Sequence, residues 1–286
     1  MAITAAPSTV PRGPVTARLN FTLPPPPGVT AVNYVDEPPA GEPQRNLVAD
    51  PREVVVSDVR GRESDFDLDR DAFRIVTALP ESAEKDFADD ASIAANYYPE
   101  VEQLLLDNIP GSNRVFIFDH TIRRAGPGAK RTAVLNAHID QTPYSAEKRV
   151  RRHMGSDADA LLKGRYRIVN VWRPLNKNPV EASPLGFGSS SSLEQTDIIP
   201  VEHRYPNGYV GQTAAIAYNP NQRWYYLSGM TGSERLLLEC YDSEGMKEGS
   251  GVAGGRLPHT AFEDPRTRPD AEGRESIEVR ALVFGP

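Results

Sequence analysis

Val15-Thr16-Ala17-Arg18-Leu19-Asn20-Phe21-Thr22-Leu23 places an apolar side chain at every odd position and a polar one at every even position. Successive side chains of an extended chain point to opposite faces, so a period of two reads as a half-buried strand. Pro24 to Pro27 and then Gly28 stop it, because proline cannot donate to a ladder. The same period returns at the far end, where Ile277, Val279, Ala281 and Val283 alternate with Ser276, Glu278 and Arg280. Between these ends lie further short β-rich runs: 53–59, 72–79, 115–118, 133–139, 166–172, 214–218, 224–228 and 236–241. Many short strands without an internal repeat predict a mainly β chain. Its expected core is a double-stranded β-helix, or jelly roll, with flanking helices.

The helical signals are local. Ser92 starts one piece, and Pro99 suits the first turn of a second, Glu100 to Asn108, with Gly111 as the stop. Leu104, Leu105 and Ile109 then share a core-facing stripe. A second helical insert is expected over 144–163. Residues 1–13 read as a disordered start and 28–50 as an extended, Pro-rich surface connection. The chain therefore divides into an N-terminal arm with the first strand, 1–50, and a single domain, 51–286, with helical inserts near 91–109 and 144–163. Gly186, Gly188 and Ser189 to Ser192 suggest a flexible loop, either a substrate lid or a plain connection.

Composition excludes several classes. Apolar residues form 39% of the 286, enough for a core, yet no apolar run is long enough to span a bilayer. The net charge is −7, which gives no reason to track a phosphate backbone, so neither nucleic acid nor membrane is an expected partner. Cys240 is the single cysteine, which excludes an intrachain disulfide framework. With no apolar stretch behind the first residues, a cytoplasmic location is expected.

The sharpest local feature is Asn136-Ala137-His138-Ile139-Asp140-Gln141-Thr142. On a strand, His138 and Asp140 share a face, so an imidazole and a carboxylate can converge on one ion. With a distant histidine they make the two-histidine, one-carboxylate set that leaves open positions on iron(II). Alone, H-x-D is weak, since 39 of the 286 residues are acidic. Arg256-Leu257-Pro258-His259-Thr260-Ala261-Phe262 supplies the third candidate, His259, and Arg274-Glu275-Ser276 follows it. Arg274 and Ser276 share a strand face and can hold a carboxylate, as the remote end of 2-oxoglutarate requires. Arg280 lies on the same face and is a rival. His120, beside Asp119, is a candidate for orienting groups near the metal. His153 and His203 are weaker rivals as ligands and read as exposed or loop residues.

Phe118-Asp119-His120-Thr121-Ile122-Arg123-Arg124, Ala137 to Thr142, Asn170 to Leu175, Gln222 to Ser228, Pro258 to Phe262 and Arg274 to Arg280 together resemble the fungal gibberellin desaturase-like family. That family includes hydroxylase/desaturase proteins of secondary-metabolite clusters and is related to a component of bacterial cephamycin methoxylation. The resemblance spans residues 90–286. It implies a non-haem iron(II) oxygenase that uses 2-oxoglutarate and dioxygen to hydroxylate or desaturate a small natural product. A metal-dependent isomerase, hydrolase or direct dioxygenase without 2-oxoglutarate is the rival reading. Arg173, after a strand, is a candidate to close the pocket. One of Tyr225 and Tyr226 should face substrate, because strand neighbours point opposite ways. Arg123 and Arg124 read as structural. The exposed arm suggests a homodimer.

Overall fold

The computed structural model describes residues 10–126 and 131–285. Among them two sheets form. The larger has nine strands. It runs, edge to edge, through β1 (Val15–Leu23), β3 (Val48–Asp58), β11 (Trp224–Tyr226), β8 (Leu185–Gly188), β13 (His259–Ala261), β6 (His138–Ile139), β10 (Val210–Ile216), β9 (Ile198–Arg204) and β2 (Ala31–Tyr34). The smaller has five, in the order β4 (Phe73–Val76), β12 (Arg235–Asp242), β7 (Tyr166–Pro174), β14 (Ser276–Phe284) and β5 (Arg114–Arg123). The architecture is the expected mainly β jelly roll with flanking helices.

Parity along the strands decides the two faces of the smaller sheet. Val169, Val171, Leu237, Ile277, Val279, Ala281 and Val283 pack on the helix α2 (Asp90–Asn108). Ile168, Trp172, Leu236, Leu238, Leu282 and Phe284 face inward, toward Phe187, Leu227 and Leu257. Burial of each large apolar side chain contributes about 1.5–3 kcal/mol, so both faces are heavily committed. A third cluster packs β1 and β3 against β6, β10 and β11 within the larger sheet through Leu19, Phe21, Val56, Ile139, Ile216 and Trp224.

Several local expectations need correction. Pro99 does not divide the helix: α2 is one piece, capped by Asp89, whose side chain accepts from Ser92 N. Ile93, Tyr97, Val101, Leu104 and Leu105 make one buried stripe across the proline, and that packing outweighs the single hydrogen bond proline removes. Gly186 to Gly188 are not a lid but strand β8, hydrogen-bonded between β11 and β13 in the middle of the larger sheet. The glycines are there because neighbours come close. A Cβ on Gly188 would lie 2.9 Å from Pro258 Cγ, and one on Gly186 3.2 Å from Phe262 Cδ1.

The first strand alternates as expected to Phe21, but Leu23 is exposed and Thr22 buried. The region 28–50 contains β2 and the start of β3, so a division at 50/51 falls inside a strand. Of the expected disordered start, residues 1–9 lie outside the described residues, whereas Gly13 N donates to Asp58 Oδ2 at 2.8 Å. The run at 133–139 keeps only two residues of strand, with Asn136 bridging to Asn20. His203 sits on β9, not in a loop. The second helical region forms α3 (Pro143–Met154), closed by a Thr142–Ser145 capping box, and α4 (Ala158–Leu161). No helix of the described residues is long and apolar enough to cross a membrane.

Candidate metal centre

Two strands, and the residue that follows one of them, carry the candidate ligands. His259 on β13 pairs in register with His138 on β6, so their side chains leave the same face of the larger sheet. The ring centroids are 4.3 Å apart. Asp140, two residues after His138, brings Oδ1 to 3.4 Å from His138 Nε2 and 4.0 Å from His259 Nε2. One ligand atom from each of the three lies within 4.8 Å of the others.

The tautomers are set by the backbone. His138 Nδ1 donates to Asn136 O at 2.8 Å, and His259 Nδ1 donates to Leu257 O at 3.1 Å. Both Nε2 atoms, the ones a metal would take, are thereby left facing Asp140. Burial, reinforced by His138, pushes the His259 imidazole down to about 4, which keeps it neutral. Burial alone would raise Asp140. The hydrogen bond from His138, with His259 and Arg280 nearby, outweighs it and holds this carboxylate well below its ordinary range. His138 moves the opposite way: burial lowers it, but Asp140 raises it overall. Two imidazole Nε2 atoms and a persistent carboxylate form a donor set that fits a divalent first-row metal.

The smaller sheet supplies the opposite wall. Asn170 on β7 donates Nδ2–H to Asp140 Oδ2 at 2.8 Å. The hollow, of about 370 Å³, is also lined by Arg123, Trp172, Arg274, Glu278 and Arg280. The two candidate carboxylate anchors differ sharply. Arg280 pairs with Glu278 at 2.7 Å and Asp119 at 3.0 Å, and lies 3.7 Å from Asp140 Oδ2. Arg274 is buried, donates Nη1–H to Ser183 O, and has an Nε without any partner. Burial, then the neighbouring Arg123, lowers its guanidinium to about 10. Neither Arg274 nor Arg123 appears in an ion pair among the described residues, which leaves both guanidinium groups open to an anionic ligand. Ser276 is buried and pairs across the sheet with Arg123.

Other candidates lie elsewhere. Arg173 leaves the opposite face of β7 from Trp172 and stacks over Phe87 and Tyr97. His120 faces the helix side, with Tyr98 OH 2.8 Å from its Nδ1 and Asp90 near its Nε2. Tyr226 donates its hydroxyl to Gly13 O and packs on Phe262, whereas Tyr225 packs among Phe66 and Phe73. None of these four lines the cleft. Sequence reasoning passed over Asn170, Glu278 and Arg123. The signal was available in parity: Asn170 and Trp172 share a face of β7, as Ser276, Glu278 and Arg280 do on β14.

The family described as Oxidoreductase/YMDC permease-like domain matches residues 19–284. The chain is 39% identical over 267 residues to the hydroxylase/desaturase poxK of Penicillium oxalicum, covering 85% of this chain and 82% of that protein. The chain belongs to the fungal hydroxylase/desaturase family. Another relative, the Fe(II)/2-oxoglutarate-dependent dioxygenase nvfI of Aspergillus novofumigatus, is 32% identical over 248 residues, 85% of this chain and 86% of its own. Among solved structures, the iron and alpha-ketoglutarate-dependent endoperoxidase NvfI superposes with a TM-score of 0.85 at 28% identity, covering 96% of this chain and 99% of that one. The jelly roll and the histidine–aspartate–histidine cluster are thus found in a hydroxylase/desaturase chain, as its sequence strings suggest.

Proposed function

We propose that this hydroxylase/desaturase family member is an iron(II)- and 2-oxoglutarate-dependent dioxygenase that hydroxylates or desaturates a small natural product in fungal secondary metabolism. The observation that carries the reading is the meeting of His138, Asp140 and His259 on one open cleft, with Arg274 unpaired beside them. Iron(II) at that cluster, with 2-oxoglutarate and dioxygen, supplies an oxidant able to take hydrogen from an unactivated carbon, leaving succinate and carbon dioxide.

The chain's own residues do the holding. His138 and His259 offer Nε2, and Asp140 offers Oδ1 while Asn170 occupies its other oxygen. Arg274, with Arg123 and the hydroxyl of Ser276, receives the remote carboxylate of 2-oxoglutarate. Trp172 and Leu185 exclude water from that end of the cleft. Arg280 neutralises Glu278 and Asp119 and steadies Asp140, a structural task in place of the anchoring one. Hydroxylation and desaturation differ only in where the substrate carbon sits after the first hydrogen is removed.

Anaerobic titration with iron(II) and then 2-oxoglutarate tests the reading. A weak visible charge-transfer band should appear in the wild type and be missing from His138→Ala and Asp140→Ala. Turnover without succinate release would favour a metal enzyme that does not use 2-oxoglutarate. A cytoplasmic location belongs to the same reading and is supported by the lone, buried, unpaired Cys240. So does a homodimer through the exposed arm, which sedimentation would test.

A further inference from the structure

His138 lines two hollows, one on each side of it. The first is the cleft that contains Arg274. The second is an open groove. Strand order separates them. Leu185 on β8 and His259 on β13 lie on one side of β6, whereas the groove spreads over β10, β9 and β2 on the other. Pairing keeps the groove on the metal's face of the sheet. His138 is opposite Ala215, which is two residues from Thr213, and Thr213 is opposite Val201. His203, two residues on, is opposite Asn33. The wall that closes this face is the arm, which contributes Arg45, Leu47 and Ala49.

We propose that this groove is the substrate compartment, and that it takes an apolar molecule bearing a carbonyl or carboxylate directed at Arg45. The inference rests on the reading of the metal centre given above and extends it to substrate chemistry.

The polar groups of the groove are donors. Asn33 Nδ2 donates to His203 Nδ1 at 3.3 Å, so His203 carries its proton on Nε2 and donates it to Thr213 Oγ1 at 2.8 Å. The Thr213 hydroxyl proton is then left over for an acceptor in the groove. Arg45 has no ion pair among the described residues, and no carboxylate side chain lines the groove. Leu47 and Val201 supply apolar wall. A ligand with its own cation finds no counter-charge here, whereas one with an oxygen acceptor finds two donors.

Two fluorescent probes test this: 8-anilinonaphthalene-1-sulfonate and its uncharged analogue N-phenyl-1-naphthylamine. Leu47→Trp and Val201→Trp should each weaken both probes about tenfold by filling the groove, and Arg45→Ala should weaken only the sulfonate, by about fivefold. Manganese(II) loaded at the metal centre should broaden the bound probe's proton resonances in the wild type and not in Asp140→Ala. The far-ultraviolet circular dichroism spectrum and the Tm, recorded for each variant, report that it is folded. Arg45 is exposed, so its variant remains informative if a tryptophan variant does not fold. Unchanged affinity for both probes in folded Leu47→Trp and in Arg45→Ala overturns the groove, as does an absence of manganese broadening. If probe binding behaves as expected while the wild type shows no iron(II)–2-oxoglutarate band, the groove stands and the co-substrate reading falls. If the band is present and the probes are indifferent, the reverse holds.

Discussion

Asn170 Nδ2 lies 2.8 Å from Asp140 Oδ2, tying the middle strand of the smaller sheet to the one carboxylate of the candidate metal centre on the larger. The bond occupies one carboxylate oxygen and leaves Oδ1 turned toward both imidazoles. Removing it by Asn170→Ala should weaken iron(II) binding about 10–100-fold, since outer partners orient metal ligands. Calorimetric titration with iron(II) under nitrogen would show this. An affinity equal to that of the wild type would mean Asp140 is held by Arg280 alone.

The two arginines of the last strand region should separate in their effects. Arg274→Ala should raise the KM for 2-oxoglutarate by two orders of magnitude or more, corresponding to about 3–5 kcal/mol for an unpaired buried charge. Arg280→Ala should instead lower the Tm, because it strands Glu278 and Asp119 without their partner. Measuring KM and Tm on both variants decides the assignment. A KM effect confined to Arg280→Ala would reverse the two roles.

Gly188→Ala should disturb the metal centre from a distance. The new Cβ meets the rigid Pro258 ring at 2.9 Å, one residue before His259. Overpacking of this kind costs about 1–3 kcal/mol, so both Tm and iron(II) affinity should fall. A variant with full stability and a normal charge-transfer band would show that β8 and β13 can separate without moving His259.

A pH-dependent prediction concerns Glu239. Its side chain is fully buried, and both oxygens lack hydrogen-bond partners. Burial, then the neighbouring Asp242, pushes its carboxyl well above the usual range, and Arg167 offsets this only in part. A raised folded pKa means the unfolded chain releases the proton first. The associated stability is therefore complete below the ordinary value near 4.5 and is lost as pH rises through the folded value. Glu239→Gln should raise Tm relative to the wild type at pH 8, with the advantage shrinking toward pH 4.5. A constant difference across that range would mean Glu239 is not the titrating group.

How much of this was legible before folding follows a physical division. Period-two strands such as 276–284 were readable because each residue's face depends only on its own parity. The H-x-D pair was readable for the same reason, as the two ligands are two residues apart where one strand ends. Arg274 stood out by its spacing to Ser276, but nothing local separated it from Arg280. That distinction comes from Asp119, which is far away in sequence and meets Arg280 across the sheet. Arg173 and His120 were misleading for a related reason. Their strands were correctly expected, but which face of each strand meets the metal is decided by where α2 packs.

The sequence by itself determined the class of fold, the chemistry of the three ligand side chains and the family. Those depend on local alternation, on residue type and on the order of short strings. Tertiary structure alone decided that His259 sits opposite His138, that Gly186 to Gly188 form a central strand, and that the arm walls a groove. Each of these is a pairing between segments distant in the chain, set by hydrogen-bond register and close packing that no single segment encodes.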